Sequence, residues 1–170
     1  MIEVIDFSNR IKLAEITLRP IHLKDVNDIF ELRSNPIVNE LITRKSPKSI
    51  SETIHFIHLI NENASKKETI FWGIELLSTQ QIIGTICYHN FSSDFKYAEI
   101  GYELHPKFHR KGLMSIALKS VLSFGFIKMK LEVIEAFTHK NNKASISLLQ
   151  KHQFVFKTDR RDKLIKNNRI

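Results

Sequence analysis

One cysteine, five glycines and four prolines are all that 170 residues offer of the types that staple or punctuate a chain. The lone thiol, Cys87, excludes an internal disulfide and any zinc site built from several cysteines. It falls in an apolar strand-like run, Ile82 to Tyr88, where a buried and inert thiol is expected. No repeat, low-complexity tract or long Pro/Gly/Ser linker divides the chain, and Arg44 to Lys48 is only a short polar joint, so one domain is expected over 1–170. No apolar run of membrane length occurs, and Met1 to Leu13 scatters Glu3, Asp6, Asn9 and Arg10 among its apolar residues. That excludes a signal-peptide core and makes a cytoplasmic location the expectation. Metal spacing is lacking too. His105 and His109 are four apart, but Pro106 denies them a shared helix, and His55 and His58 have no third ligand near them in sequence.

What is present is charge and pattern. Twenty-six Lys and Arg against 18 Asp and Glu leave a formal +8, which favours polyanionic partners such as phosphates or RNA. Ile11 to Pro20 roughly alternates apolar and polar, predicting a first strand that the proline ends. Val26, Ile29, Phe30 and Leu32 fall near helical spacing before Asn35-Pro36. Ser49 with Glu52 forms a capping box ahead of a second apolar stripe, Ile54, Ile57 and Leu59-Ile60. Runs at Ile70 to Leu76, Gln81 to Tyr88 and Tyr97 to Leu104, joined by turn-forming segments, predict an antiparallel meander. A helix from Gly112 to Lys128, a strand Val133 to Thr138, a helix Asn142 to His152 and a strand Phe154 to Phe156 complete the pattern. The order β-α-α-β-β-β-α-β-α-β predicts an α+β (α/β-like) fold, a mixed, mostly antiparallel sheet covered by helices.

One stretch carries chemistry. The strand ending at Leu104 runs through His105-Pro-Lys-Phe-His-Arg-Lys-Gly112 directly into a helix. Unpaired N–H groups of a first helical turn, with the helix dipole, favour a phosphate, and Gly112 permits close approach while Arg110 and Lys111 add charge. Taken alone, a glycine before a helix is equally a plain helix start.

Four blocks extend the pattern: Ile16-Thr-Leu-Arg-Pro20, Ala98 to Leu104, Pro106 to Leu118, and Asn142-Lys-Ala-Ser145 with Leu149 to Phe154. Together they resemble the GNAT superfamily of N-acetyltransferases, in its RimJ/RimL-like branch of ribosomal-protein N-terminal acetyltransferases. The resemblance spans Ile16 to about Thr158. It implies the GNAT acyl-CoA N-acyltransferase fold, acetyl-CoA as cosubstrate and no metal. The family's Gln/Arg-x-x-Gly-x-Gly/Ala pattern reads His109-Arg110-Lys111-Gly112-Leu113-Met114 here, keeping the first glycine alone. These six residues would hold the pyrophosphate, with His109 a donor and Met114 contributing its backbone N–H. The pantetheine arm would lie along the strand through Tyr102 to Leu104, splayed from Val133 to Thr138.

The resemblance also nominates catalytic residues. Glu99 matches a carboxylate often proposed as base, where burial would raise its pKa and a water could relay the proton. Glu103 competes, because Glu99, Gly101 and Glu103 share one strand face, and a solvent-facing pair is the alternative. Asn142 would address the pantetheine or acetyl region, although an N-cap role toward Ala144 or Ser145 is equally open and the two can coexist. Where many relatives carry a thiolate-protonating tyrosine this chain has Leu149, which leaves Ser145, water or the product to manage the sulfur.

An α-amine ionises near 7.7 to 8.0 and a lysine near 10.4, a gap of roughly 3 kcal/mol that suits a weakly equipped base to an N-terminal acceptor. A peptide or ribosomal-protein N-terminus attacked directly is therefore expected. Polyamines or aminoglycosides are the alternative among enzymes, and the net charge opposes them. Two rival readings are a basic nucleic-acid module on Lys107, Arg110, Lys111, Lys128 and Lys130, and a CoA-binding protein without catalysis, suggested by His109, Met114 and Gln153. Relatives complete a hairpin after Phe154, so the last strand is in question. The tail Lys157 to Ile170 reads as a frayed end or as a strand for a partner in a homodimer.

Overall fold

A computed structural model describes residues 10–157 and the backbone of 163–167. Met1 to Asn9, read above for a signal-peptide core, lie outside the described residues, as do 158–162 and 168–170 of the tail. The chain runs β1 (Ile11–Lys12), β2 (Ile16–Arg19), α1 (Val26–Ser34), α2 (Pro36–Asn39), α3 (Ile50–Ser65), β3 (Ile70–Leu76), β4 (Ile82–His89) and β5 (Tyr97–Leu104). It continues with α4 (Leu113–Ser123), β6 (Val133–Phe137), α5 (Lys143–Lys151), β7 (Val155–Lys157) and β8 (Lys163–Asn167). The strands form one sheet in the order β1-β2-β3-β4-β5-β6-β8-β7. Among the described residues only β5 and β6 pair in parallel; the other neighbours are antiparallel. This is the mixed, mostly antiparallel sheet with helices that the sequence predicts. Among the described residues no helix is long and apolar enough to cross a membrane.

Three expectations need correction. The strand expected from Ile11 to Pro20 is a hairpin, with the Leu13 N–H donating to the Ile16 carbonyl at 2.9 Å and Ile11 paired with Leu18. Alternation alone cannot separate a long strand from a tight hairpin, and Ile16 to Arg19 are buried on both faces. The helix expected to Lys128 keeps α geometry only to Ser123 and then widens into π-helix over Phe124–Lys128. There the Tyr88 hydroxyl donates to the Val121 carbonyl at 2.9 Å, competing with the helical ladder. Gly125 packs so closely that an added Cβ would stand 2.5 Å from that hydroxyl. Finally, the sheet does have its last strand. β8 turns back from β7 and enters between β7 and β6, covering an edge that would otherwise be left unpaired.

The two faces of the sheet differ in chemistry. One carries Ile16, Leu18, Trp72, Ile86, Tyr88 and Ile100, packed with Leu118 and Val121 of α4 and Leu149 of α5 in the main apolar core. The other has a smaller aliphatic cluster, Ile21, Ile29, Ile57, Ile60 and Ile82, under α1 and α3, and several buried charges. Arg19 is the first of these. Its Nε donates to Glu75 Oε2 at 2.5 Å and its two Nη atoms grip Asp25 at 2.7 and 2.9 Å. Asp25 also accepts the His22 N–H at 2.8 Å, so one guanidinium ties β2, β3 and the start of α1 together. Burial pushes the Asp25 carboxyl upward, but the bonds from Arg19 and His22 outweigh it and hold the carboxyl below its ordinary range.

Replacing Arg19 by Met would leave buried Asp25 without its ion-pair partner and Glu75 with Arg10 alone, 3.8 Å away, and urea unfolding at neutral pH should show a loss of about 3 to 5 kcal/mol. Asp25's contribution is present at neutral pH and lost as pH falls below about 4, where the unfolded chain binds a proton that folded Asp25 resists. The stability difference between wild type and Arg19→Met should therefore shrink on acidification through that range.

Candidate active site

The parallel register of β5 and β6 consists of Tyr97 with Val133, Ala98 with Ile134 and Glu99 with Glu135. Beyond Glu99, β5 pairs only with β4, and Ala136 and Phe137 of β6 pair only with β8. The strands therefore part at the two glutamates and leave the β6-facing backbone edge of β5 open from Ile100 to Leu104. A cleft of about 400 Å³ fills the splay. Gly101 and Tyr102 line it from β5, and Ala136 to His139 line it from β6 and the turn that follows. Asn142, Ser145 and Leu149 approach from α5 and Leu41, Ile42 and Thr43 from the segment after α2, so the cleft passes from one face of the sheet to the other.

The expected site residues fall into three groups. Tyr102, Asn142 and Ser145 come together on the α5 side. The Tyr102 and Ser145 hydroxyls lie 2.8 Å apart, and burial pushes the Tyr102 hydroxyl up to about 12, so it stays protonated at any working pH. Asn142 caps α5, its Oδ1 accepting the Ser145 N–H at 3.0 Å, while it also borders the cleft.

The second group is the loop after β5. Gly112 opens α4 in the left-handed region at φ +76°, and no side chain caps that helix. The first-turn N–H groups, among them those of Leu113 and Met114, remain uncommitted within the helix. The side chains of Leu113 and Met114 are buried in the main core, so only their backbone can meet an anion. Arg110, itself at φ +60°, and Lys111 are exposed beside this turn, and Lys111 Nζ lies 5.3 Å from the Phe108 ring centroid. His109 is exposed, and its Nε2 hydrogen-bonds the Leu104 carbonyl at 2.9 Å, which ties the loop back to the end of β5.

The third group is the carboxylates, and their environments separate them. Glu103 is buried and ion-paired: Arg33 reaches it at 3.2 Å, Arg44 pairs with it, and the Thr85 hydroxyl donates to it at 3.1 Å. Glu99 lies at the fork of the splay, two residues from Gly101 on the same face and outside the cleft wall. Asn90 Nδ2 donates to its Oε2 at 3.1 Å, and the Tyr97 hydroxyl lies 3.1 Å from its Oε1. The same Tyr97 hydroxyl is 2.5 Å from Oε2 of the buried Glu135. Burial, with the carboxylates on either side, drives the Tyr97 pKa well upward. Cys87 opposite Gly101 is half-buried, because the glycine has no side chain to cover it, and burial still pushes its thiol up to about 12. It remains an inert thiol.

Glu135, Tyr97 and His89, which stands opposite Glu99 on β4, escape the sequence reading. Only the cross-strand register brings them together, and no local spacing in the sequence encodes that register.

This geometry is a sheet split for an inserted chain, with an anion-ready helix N-terminus at one end and carboxylates at the fork. Residues 15–155 match the acetyltransferase (GNAT) domain model, and the chain belongs to that family of acetyltransferases. It is 35% identical over 139 residues to the uncharacterized N-acetyltransferase YoaA of Bacillus subtilis (strain 168), covering 82% of this chain and 78% of YoaA. Among solved structures, RimL, a ribosomal-protein α-N-acetyltransferase, superposes with a TM-score of 0.80 at 16% identity over 94% of each chain. The acetyltransferase MccE, solved with acetyl-CoA and AMP, gives 0.76 at 19% identity over 91% of this chain and 93% of its own.

Gly101 offers a direct probe of the cleft. An added Cβ would lie 3.4 Å from Cys87 Sγ and 3.6 Å from His89 Nε2, both ordinary contacts, so Gly101→Ala should keep stability within about 0.5 kcal/mol. The same methyl intrudes at the cleft wall, and acetyl transfer should fall roughly a hundredfold in a steady-state assay.

Proposed function

We propose that the chain transfers the acetyl group of acetyl-CoA to a protein or peptide N-terminal α-amine by direct attack. The splay of β5 from β6 carries this reading, because it joins an anion site, an open strand edge and an acceptor face in one passage. When bound, acetyl-CoA supplies an activated thioester. The N–H groups at the start of α4, with Gly112 leaving the backbone bare and Arg110 and Lys111 adding charge, are suited to its pyrophosphate. The edge Ile100 to Leu104 can pair with the pantetheine amides as with an added strand. Tyr102 and Ser145 offer hydroxyls to the sulfur, and with its pKa raised Tyr102 stabilises by hydrogen bonding rather than by ionising. Asn142 adds its amide N–H on the same side. On the opposite side, Glu99 and Glu135 supply the negative charge that draws a cationic N-terminus to the fork.

Two observations support the acceptor class. RimL, whose fold this chain shares, is a ribosomal-protein α-N-acetyltransferase. A net charge of +8 disfavours polycationic acceptors.

Acetyl-CoA at about a hundred times its Kd should stabilise the fold by about 2.7 kcal/mol, several degrees in Tm, while ATP does much less. Thiol release should then be faster with N-terminal peptides than with polyamines or aminoglycosides. Preference for the latter would overturn the acceptor. Equal shifts with ATP would overturn the CoA site and favour a general anion-binding surface.

A further inference from the structure

We infer that His89, a residue outside the family-like blocks, is the catalytic group that takes the proton from the attacking amine, and that Glu99 is the positioning residue that orients it. This rests on the acetyltransferase reading of the cleft.

The ring is aimed by the strand register. His89 of β4 lies directly opposite Glu99 of β5, and its Nδ1 is 3.8 Å from Glu99 Oε2. The other end of the imidazole lies over Gly101, with Nε2 3.6 Å from the place a side chain would occupy there. Gly101 is cleft wall and puts no side chain between Nε2 and the splay, while His89, like Glu99, stands outside the cleft lining. Glu99 has no comparable route. It stands beyond Gly101, with Oε2 taken by Asn90 and Oε1 beside the Tyr97 hydroxyl.

The charges around the ring fit this division of roles. From β5, Glu99 faces it; next to Glu99 on β6, Glu135 competes for the single Tyr97 proton, so negative charge stays concentrated at the fork. From β4 itself, Cys87 is held as a neutral thiol. Arg33 of α1 and Arg44 are committed to Glu103, further along the same face. Those two guanidiniums outnumber the one Glu103 carboxylate, so compensation for an imidazolium at His89 comes from Glu99, the arrangement in which a carboxylate orients a histidine base.

The neutral amine nitrogen forms its bond to the thioester carbonyl carbon, and its proton passes to His89 Nε2. The C–S bond breaks with the electron pair leaving on sulfur. The imidazolium then gives its proton back through solvent to the sulfur, leaving an amide, free CoA thiol and neutral His89.

The test uses the full chain, acetyl-CoA and an N-terminal peptide found to be acetylated. His89→Gln should lower kcat by roughly 10² to 10⁴, while the acetyl-CoA shift in Tm stays unchanged. His89→Ala should regain activity with added imidazole, which a merely structural role would not allow. On the acid side, log kcat/KM of wild type should fall one proton more steeply than that of His89→Gln. Glu99→Gln should keep that extra titration while lowering kcat, because the ring loses its positioning partner but not its basic nitrogen. Activity of His89→Gln within about twofold of wild type would overturn the inference, since a base is worth far more. Loss of the titration in Glu99→Gln alone, with His89→Gln retaining it, would make Glu99 the base. Failure of wild type to release thiol with any amine would instead overturn the acetyltransferase reading, and this inference with it.

Discussion

Parallel pairing between β5 and β6 ends after three residue pairs, at two glutamates set side by side. A sheet interior normally consumes every backbone donor and acceptor, so an early stop leaves polar groups that something must satisfy. Here β6 stays paired with β8 along its far edge over all five residues, and β5 is left with an open edge facing the cleft. The opening is therefore a property of strand pairing rather than of loop placement. The position of the cleft, the access from both faces and the carboxylates at its fork all descend from it.

Around that opening the two faces divide the labour. The α4 and α5 face is a conventional apolar core in which Trp72 meets Phe124 edge-on at 5.6 Å. The α1 and α3 face instead fixes its layer with buried ion pairs, Arg19 with Asp25 and Glu75, and Arg33 and Arg44 with Glu103. Arg33 also lies 3.8 Å over the Phe56 ring of α3, and burial, with the nearby Arg44 charge, outweighs Glu103 to lower its pKa. Such pairs add little net stability compared with an apolar core, but they demand one geometry. Arg44 directly follows Leu41 to Thr43, so this clamp sets where that wall of the cleft stands.

Elements defined by periodicity were legible in the sequence. The meander, α3 with Ser49 accepting the Glu52 N–H, and α5 with Asn142 at its start follow from spacing and cap chemistry. Gly112 was legible as the start of α4, because a glycine supplies the left-handed turn ahead of an apolar helical stripe. Four things were hidden for separate physical reasons. The turn at Leu13 to Glu15 preserves the alternation that signals one strand. The π turn depends on Tyr88, more than thirty residues away, reaching Val121. β8 wins its place through backbone pairing with β6, which composition does not announce. The grouping of His89, Glu99 and Glu135 needed two registers at once, one antiparallel and one parallel.

The order of the strands also ties the cleft to the order of synthesis. Ala136 and Phe137, which form its far wall, have Leu164 and Lys163 as their only strand partners. As a chain emerges from the ribosome N-terminus first, everything else that shapes the opening is available before the segment that props this wall upright. The passage is thus finished from outside and last, and until residues 163–167 arrive the far wall is a bare strand edge exposed to any passing chain.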